Sequence, residues 1–214
     1  KYNFYHSIKL NDEITTNGIQ RLERVVHNIL KELRKINFKN KRVLDVGARD
    51  CIYSFEAEKL GAKEIVAIDN DVSLPAKKFL IPFFNSKVKL YEKNLFQLTQ
   101  KEFGKFDIII FPGVLYHLRC PFDALKILTS LLKDNGQILI ETATYNNNGL
   151  PMLYCPTFDS PYDGTSCTFF NEKGLQETLM SFGVNPIRTT TLDPRRIVTL
   201  IKNVLRFFFG RSLF

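Results

Sequence analysis

The stretch Arg42-Val-Leu-Asp-Val-Gly-Ala-Arg-Asp-Cys51, followed by Glu64-Ile-Val-Ala-Ile-Asp69, decides the fold of this chain. Each holds an apolar, β-branched run too short for a helix, which predicts buried strands over 43–46 and 65–68. Between them Ile52 to Leu60 predicts a helix, closed by Gly61 in the left-handed conformation. A strand, a tight turn, a helix and a second strand ending in an acid form the unit that holds a nucleoside. Gly47 lets the backbone approach the ligand, and Asp69, about twenty residues on, offers its two oxygens to ribose hydroxyls. The blander reading, in which Asp69 only caps the turn after it, stays open.

Outward from this unit the alternation continues. Leu22, Val25, Val26, Ile29, Leu30 and Leu33 predict a helix over 18–36 with one apolar stripe, on which His27 is a surface or packing residue. Ser73 predicts the cap of a helix running to about 84, with Pro75 in its first turn and Pro82 kinking or ending it. Strands are predicted over 88–91, 106–111 and 137–141, with a helix opened by Pro121 and closed by Asp134-Asn-Gly136. Residues 142–170 show no period and read as a lid or binding loop. Asn171 predicts a helix cap, and 184–192 a sixth strand. Strand and helix in alternation require right-handed crossovers, hence an α/β, doubly wound, mostly parallel Rossmann-like sheet with helices on both faces.

With 214 residues, 44% of them hydrophobic, the chain suits one α/β domain. The expected division is an N-terminal segment and helix over 1–40, a core over 41–192, and a basic amphipathic tail over 193–214. No stretch reaches a membrane span and the polar start is no secretory signal, so a cytoplasmic address is expected. Cys51, Cys120, Cys155 and Cys167 are scattered, as are His6, His27 and His117, which argues for reduced thiols and against a metal site. The net charge of +8 fits an anionic partner, or only a bias in composition.

A dinucleotide would want G-x-G-x-x-G after the first strand, so that pyrophosphate sits on a helix N-terminus. Here the turn is Gly47-Ala-Arg-Asp-Cys-Ile, with one glycine and an added acid, Asp50. That makes an NAD-dependent oxidoreductase the poorer reading. The chain resembles class I S-adenosylmethionine-dependent methyltransferases, whose first motif is an acid followed by G-x-G-x-G: Asp45 and Gly47 match, while Arg49 and Cys51 replace the next two glycines. Gly113-Val-Leu-Tyr-His-Leu-Arg-Cys-Pro121, Asp163-Gly-Thr-Ser-Cys-Thr-Phe-Phe-Asn-Glu-Lys-Gly-Leu175 and Tyr5-His-Ser-Ile-Lys-Leu-Asn-Asp resemble the branch that holds the tRNA wobble-uridine carboxymethyltransferase and its methyltransferase relatives.

The resemblance implies that Asp45, Gly47, Ala48, Arg49 and Asp50 bind S-adenosylmethionine at the first turn. Asp69 and Asn70 would meet the ribose, Asn94 and Leu95 the adenine, and Gly113 the cofactor from the fourth strand. Tyr116 and His117 are implied near the transferable methyl group; Tyr116 also permits a carboxylated cofactor, and His117 is a candidate base because an imidazole titrates near neutrality. Tyr116 packing beneath the next helix is the competing structural role. If position 51 needs positive φ, the Cys51 β-carbon costs on the order of 1–2 kcal/mol and crowds the methionine moiety.

Tyr145, Tyr154, Tyr162, Phe169 and Phe170 suit either a stacked acceptor or simple closure of the lid, the latter favoured because no basic residues are interleaved. Ile197, Leu200, Ile201, Val204, Leu205 and Phe208 fall at helical spacing among basic residues, a face for the core, another chain or an anionic membrane. Arg196 to Lys202 is the alternative, as a last strand, and a truncated sheet a third. The expected function is methyl transfer to a small-molecule or glycan acceptor, favoured over tRNA because no long N-terminal extension is seen. A tRNA methyl- or carboxymethyltransferase and a degenerate, non-catalytic module binding nucleic acid or membrane are the other readings.

Overall fold

A computed structural model describes residues 2–146, 149–157, 160, 162–191 and 203–210. The chain divides into two compact units, 1–97 and 98–214.

In the first unit a single turn over Gln20–Leu22 leads into α1, Glu23–Leu33, whose apolar stripe buries Ile29 and Leu33. Strand β1, Arg42–Val46, is followed by α2, Ile52–Lys59, and β2, Glu64–Asp69. β1 and β2 run parallel with Val43 opposite Ile65 and Val46 opposite Ile68, as a helical crossover requires. Val43, Leu44, Val46 and Ile65 to Ile68 are all buried, which is why these strands read as continuous apolar runs. Glu64 knits the lower ends of the strands: it accepts Arg42 Nε at 2.5 Å and Lys89 Nζ at 2.9 Å, and these bonds hold its carboxyl below the usual range.

Beyond β2 the helix that Ser73 opens does not end at Pro82. Ala76–Leu80 widens into a π turn, in which the Ile81 N–H reaches back five residues to the Ala76 carbonyl. α3, Ile81–Phe83, carries Pro82 in its first turn. Widening the coil just before the proline, which lacks an N–H and crowds the carbonyl four residues back, lets the helix pass through it. Strand β3, Lys89–Glu92, then joins β2 in parallel.

In the second unit α4, Gln100–Phe103, precedes β4, Phe106–Pro112. Next come α5, Pro121–Ser130, with Pro121 at its first position as expected, and β5, Leu132–Thr144. The β4–β5 pair is parallel, with Ile108 to Phe111 facing Gln137 to Ile140. β5 is longer than the predicted 137–141: Leu132 already faces Phe106, and Asp134-Asn-Gly136 is an excursion inside the strand rather than the close of the helix. Within the aperiodic stretch, β6, Leu153–Tyr154, and β7, Phe169–Phe170, form a small antiparallel pair. α6, Glu172–Ser181, is capped by Asn171 as predicted, its Oδ1 accepting the Gly174 N–H at 2.8 Å.

The end of the sheet corrects the reading of the tail. β8, Asn185–Thr191, pairs antiparallel with β9, Asn203–Gly210, and β9 pairs antiparallel with β5. The predicted tail helix through Phe208 is therefore a strand over its last part, and the final strand lies beyond 196–202. Val204, Phe207, Phe208 and Phe209 are β-branched or aromatic in kind, and two flanking ladders satisfy the backbone of the strand that carries them. Residues 192–202 and 211–214, with Arg195, Arg196, Lys202 and Arg211, lie outside the described residues. Strand order is β3-β2-β1 in the first unit and β4-β5-β9-β8 in the second. Among the described residues no helix is long and apolar enough to cross a membrane.

Candidate functional site

In the first unit the chain after β1 hangs on one carbonyl: Gly47 and Ala48 N–H both donate to Ile68 O, at 2.9 and 3.0 Å. The turn then alternates in hand. Gly47 has φ 75°, Arg49 φ 45° and Cys51 φ 62°, so the positions where the resemblance expects three glycines all take the left-handed conformation, two of them with side chains. Each β-carbon there costs on the order of 1–2 kcal/mol. Specific bonds offset it: Arg49 N–H donates to Asp69 Oδ2 at 2.9 Å, its guanidinium holds the Asp71 carbonyl at 2.7 Å and the Asp71 carboxylate, and Cys51 N–H donates to Ala48 O at 2.7 Å. Cys51 is fully buried at the start of α2, and burial, reinforced by Asp45, Asp50 and Asp69, pushes its thiol well above the usual range. A thiol so held is neutral and no nucleophile.

Asp69 is more than caught in its own turn. Its two oxygens take the Arg49 and Asp71 N–H groups, both at 2.9 Å, and each keeps further lone pairs for a ligand. Its carbonyl accepts Lys93 N–H at 2.9 Å, which brings the segment holding Asn94 alongside. Leu95 is buried there, whereas Asn94 is exposed and uses Oδ1 to accept Phe96 N–H at 3.0 Å. Asn70 is exposed next to Asp69 and Ala48 is buried beneath the turn.

Asp45 lies fully buried on β1. Burial raises its carboxyl to about 7, against the pull of Ser54 Oγ, which donates to Oδ2 at 2.6 Å, while Asp69 adds to the rise. Its Oδ1 has no hydrogen-bond partner. A buried acceptor left bare costs on the order of 1–3 kcal/mol.

Asp50 turns away from this cradle. Its carboxylate accepts the N–H groups of Tyr5 and His6, the latter at 2.9 Å, and the Ser73 hydroxyl. It therefore clamps the N-terminal segment, with Arg49 over the Tyr5 ring at 5.7 Å and Gly18 so close that a β-carbon would stand 2.2 Å from the His6 and Ser7 backbone. Burial lowers the His6 imidazole to about 4, although Asp50 opposes the fall.

The second unit carries the other predicted residues. Gly113, at the end of β4, has φ 70°, and the space where its β-carbon would sit is 3.8 Å from Tyr116 Oη and 3.9 Å from Glu141 Oε2. Glu141 is buried on β5, and nothing in the one-dimensional pattern marks it. Leu115–His117 forms a single turn that, with the residue after it, is gripped from fifty residues away: Tyr116 O accepts Cys167 N–H at 2.8 Å, and Leu118 O accepts Thr168 Oγ1 at 2.9 Å. Two of the three stretches that carry the finer resemblance are thus one interlocked structure. Tyr116 also packs edge-on against Tyr162 at 5.1 Å, within a cluster that includes Phe169, Tyr145 and Tyr154. These lid aromatics pack against one another, Tyr145 on Tyr154 at 5.3 Å. Among the described residues no group of histidine, cysteine and carboxylate side chains is arranged to hold a metal ion, and all four cysteines are free.

The family model described as a methyltransferase domain matches residues 18–189. A tRNA U34 carboxymethyltransferase of Helicobacter acinonychis is 34% identical over 123 residues, 56% of this chain and 47% of the relative. The chain spans about half the length of such curated relatives. Among solved structures, the N-terminal domain of EvdMO1, determined with SAH and D-fucose, has a TM-score of 0.72 at 16% identity, covering 98% of this chain and 91% of that one. The [4+2]-cyclase SpnF has a TM-score of 0.70 at 12% identity over 100% of this chain and 88% of its own. The expected α/β Rossmann-like fold is therefore present, and a cyclase on the same fold shows that architecture alone does not name the reaction.

Proposed function

We propose, from the premise that this chain belongs to the methyltransferase domain family, that it transfers a methyl group from S-adenosylmethionine to a small-molecule or glycan acceptor. The observation that carries the cofactor is the Gly47–Cys51 turn, which keeps three left-handed positions at the cost of strain and sets Asp69 beside them. The donors and acceptors present fit the group. Asp69 suits ribose hydroxyls, and Asp45 Oδ1, buried and bare, suits a ligand N–H or ammonium. Ala48, Asn70, Asn94, Leu95 and Gly113 stay as proposed neighbours; Asp50 serves by fixing the turn from behind. The cofactor supplies an activated methyl carbon, so the protein's task is alignment and exclusion of water.

A second reading, methyl or carboxymethyl transfer to tRNA, is supported by the relative named for tRNA U34 and by Tyr116, which suits the extra carboxylate of a modified cofactor. Mass spectrometry of ligand that copurifies with the protein separates the two cofactors. Labelled methyl from S-adenosylmethionine is then offered to total tRNA and to small-molecule and glycan fractions. Label in tRNA alone overturns the first reading; absence of cofactor binding by the folded protein overturns both and favours a non-catalytic module.

A further inference from the structure

We propose that Asp163 and Thr165 are positioning residues that hold His117 in one tautomer, with Nε2 bare, as the base for a protic methyl acceptor. This rests on the methyl-transfer reading above.

Asp163 Oδ1 accepts from Thr165 N–H, Ser166 N–H and Thr165 Oγ1, each at 2.9 Å, and from Ser166 Oγ at 2.7 Å. Burial alone would raise its carboxyl, but the Ser166 and Thr165 bonds and the neighbouring His117 hold it below the usual range. It is a carboxylate, with no proton to give. The Thr165 hydroxyl has one proton, and the Asp163 carboxylate, being charged, is the stronger acceptor for it. Thr165 Oγ1 also lies 3.0 Å from His117 Nδ1, and that contact is a hydrogen bond only if Nδ1 carries the hydrogen. The neutral ring therefore has its proton on Nδ1 and its lone pair on Nε2.

The ring is fixed as well as polarised. His117 N–H donates to Val114 O at 2.9 Å, its carbonyl accepts the Cys167 thiol, and its imidazole lies against Tyr116 at 4.3 Å between centroids. The side chain is half-buried, so Nε2 is not sealed in the core. In the transfer, a lone pair of the acceptor oxygen or nitrogen forms the new bond to the methyl carbon, the carbon–sulfur bond breaks, and sulfur leaves as a neutral thioether. The acceptor's proton passes to Nε2. The imidazolium so formed keeps Nδ1–H on Thr165 and faces the Asp163 charge through that hydroxyl.

Long-range proton–nitrogen spectra of the full chain, recorded without S-adenosylmethionine and assigned with His117→Gln, read the tautomer directly. The expected result is the Nδ1–H form in the parent and a shift of the tautomer ratio by about tenfold in Thr165→Val, the equivalent of one hydrogen bond. Thr165→Ser restores the parent ratio. Modification of His117 by diethyl pyrocarbonate, followed by mass spectrometry, falls in Thr165→Val and recovers in Thr165→Ser; a loop staple with no effect on the ring would leave both readouts unmoved. An Nε2–H form in the parent, or a ratio unchanged in Thr165→Val, overturns the proposal. Binding of S-adenosylmethionine, followed separately by calorimetry, reports on the methyl-transfer reading, so either can fail alone.

Discussion

The turn over Gly47–Cys51 and the interlock of Leu115–His117 with Asp163–Thr168 specify their geometry in opposite ways. The turn is defined by backbone: three left-handed residues, two N–H groups on Ile68 O and one on Asp69. It survives the loss of two glycines because neighbouring bonds hold each φ in place. The interlock is defined by side chains, with Asp163, Thr165, Cys167 and Thr168 gripping a single turn that lies fifty residues earlier. A backbone site tolerates changes of side chain, whereas a side-chain site changes its chemistry with each one.

The largest expected break is Asp69→Ala, which removes the proposed ribose contact and leaves Arg49 and Asp71 N–H without their acceptor. Affinity for S-adenosylmethionine, measured by calorimetry, falls by about 100-fold, close to ~3 kcal/mol.

Asp45 comes next, through pH. Its folded carboxyl, at about 7, lies above the ordinary value of 3.8, so the stabilisation it lends is present in acid and lost as pH rises through 7. His6 runs the other way: its folded value of about 4 lies below 6.5, and its stabilisation is present above 6.5 and lost as pH falls through 4. Asp45→Asn removes the loss between about pH 4 and 7 from a thermal-unfolding series and leaves the opposite trend set by His6. A cationic ligand group needs the carboxylate, so cofactor affinity weakens by about tenfold for each pH unit below 7 in the parent and is flat in Asp45→Asn.

On the side-chain region, Thr168→Val removes the bond to Leu118 O and costs about 1 kcal/mol of stability in a urea titration with unchanged slope. The smallest effect sharpens the comparison rather than breaking it. Cys51→Gly relieves about 1–2 kcal/mol of strain and returns about half of that as chain entropy. A modest gain in S-adenosylmethionine affinity by calorimetry is expected, and no gain would mean the surrounding bonds already absorb the strain.

Much of this was legible from the residues. Val43 to Val46 and Ile65 to Ile68 read as buried strands because both faces are covered, and Gly47 and Asp69 mark a turn and an acid that the structure brings together through Arg49 N–H. Asn171 was visible as a cap because its helix follows at once. The position of Asp50 in the chain suggests only the turn; its partners Tyr5, His6 and Ser73, tens of residues away, reveal the clamp. Glu141, Ser54, Asp163 and Thr165 were hidden for the same reason, since long-range proximity leaves no mark on spacing. The stretch now ending in β9 failed differently: its apolar residues satisfy a helical period and a run of strand formers equally, and pairing with β5 and β8 decides between them.

Cys51 also gives the protein a clock. Cys120 and Cys155 are exposed and Cys167 is partly so, whereas the Cys51 thiol reaches solvent only when the cradle opens. A thiol reagent added in pulses will count that thiol last, at a rate set by how often the native state breathes at this point. Any molecule that fills the cradle slows the count, so an unlabelled pool of candidate ligands can be ranked by the protection each gives to one sulfur atom.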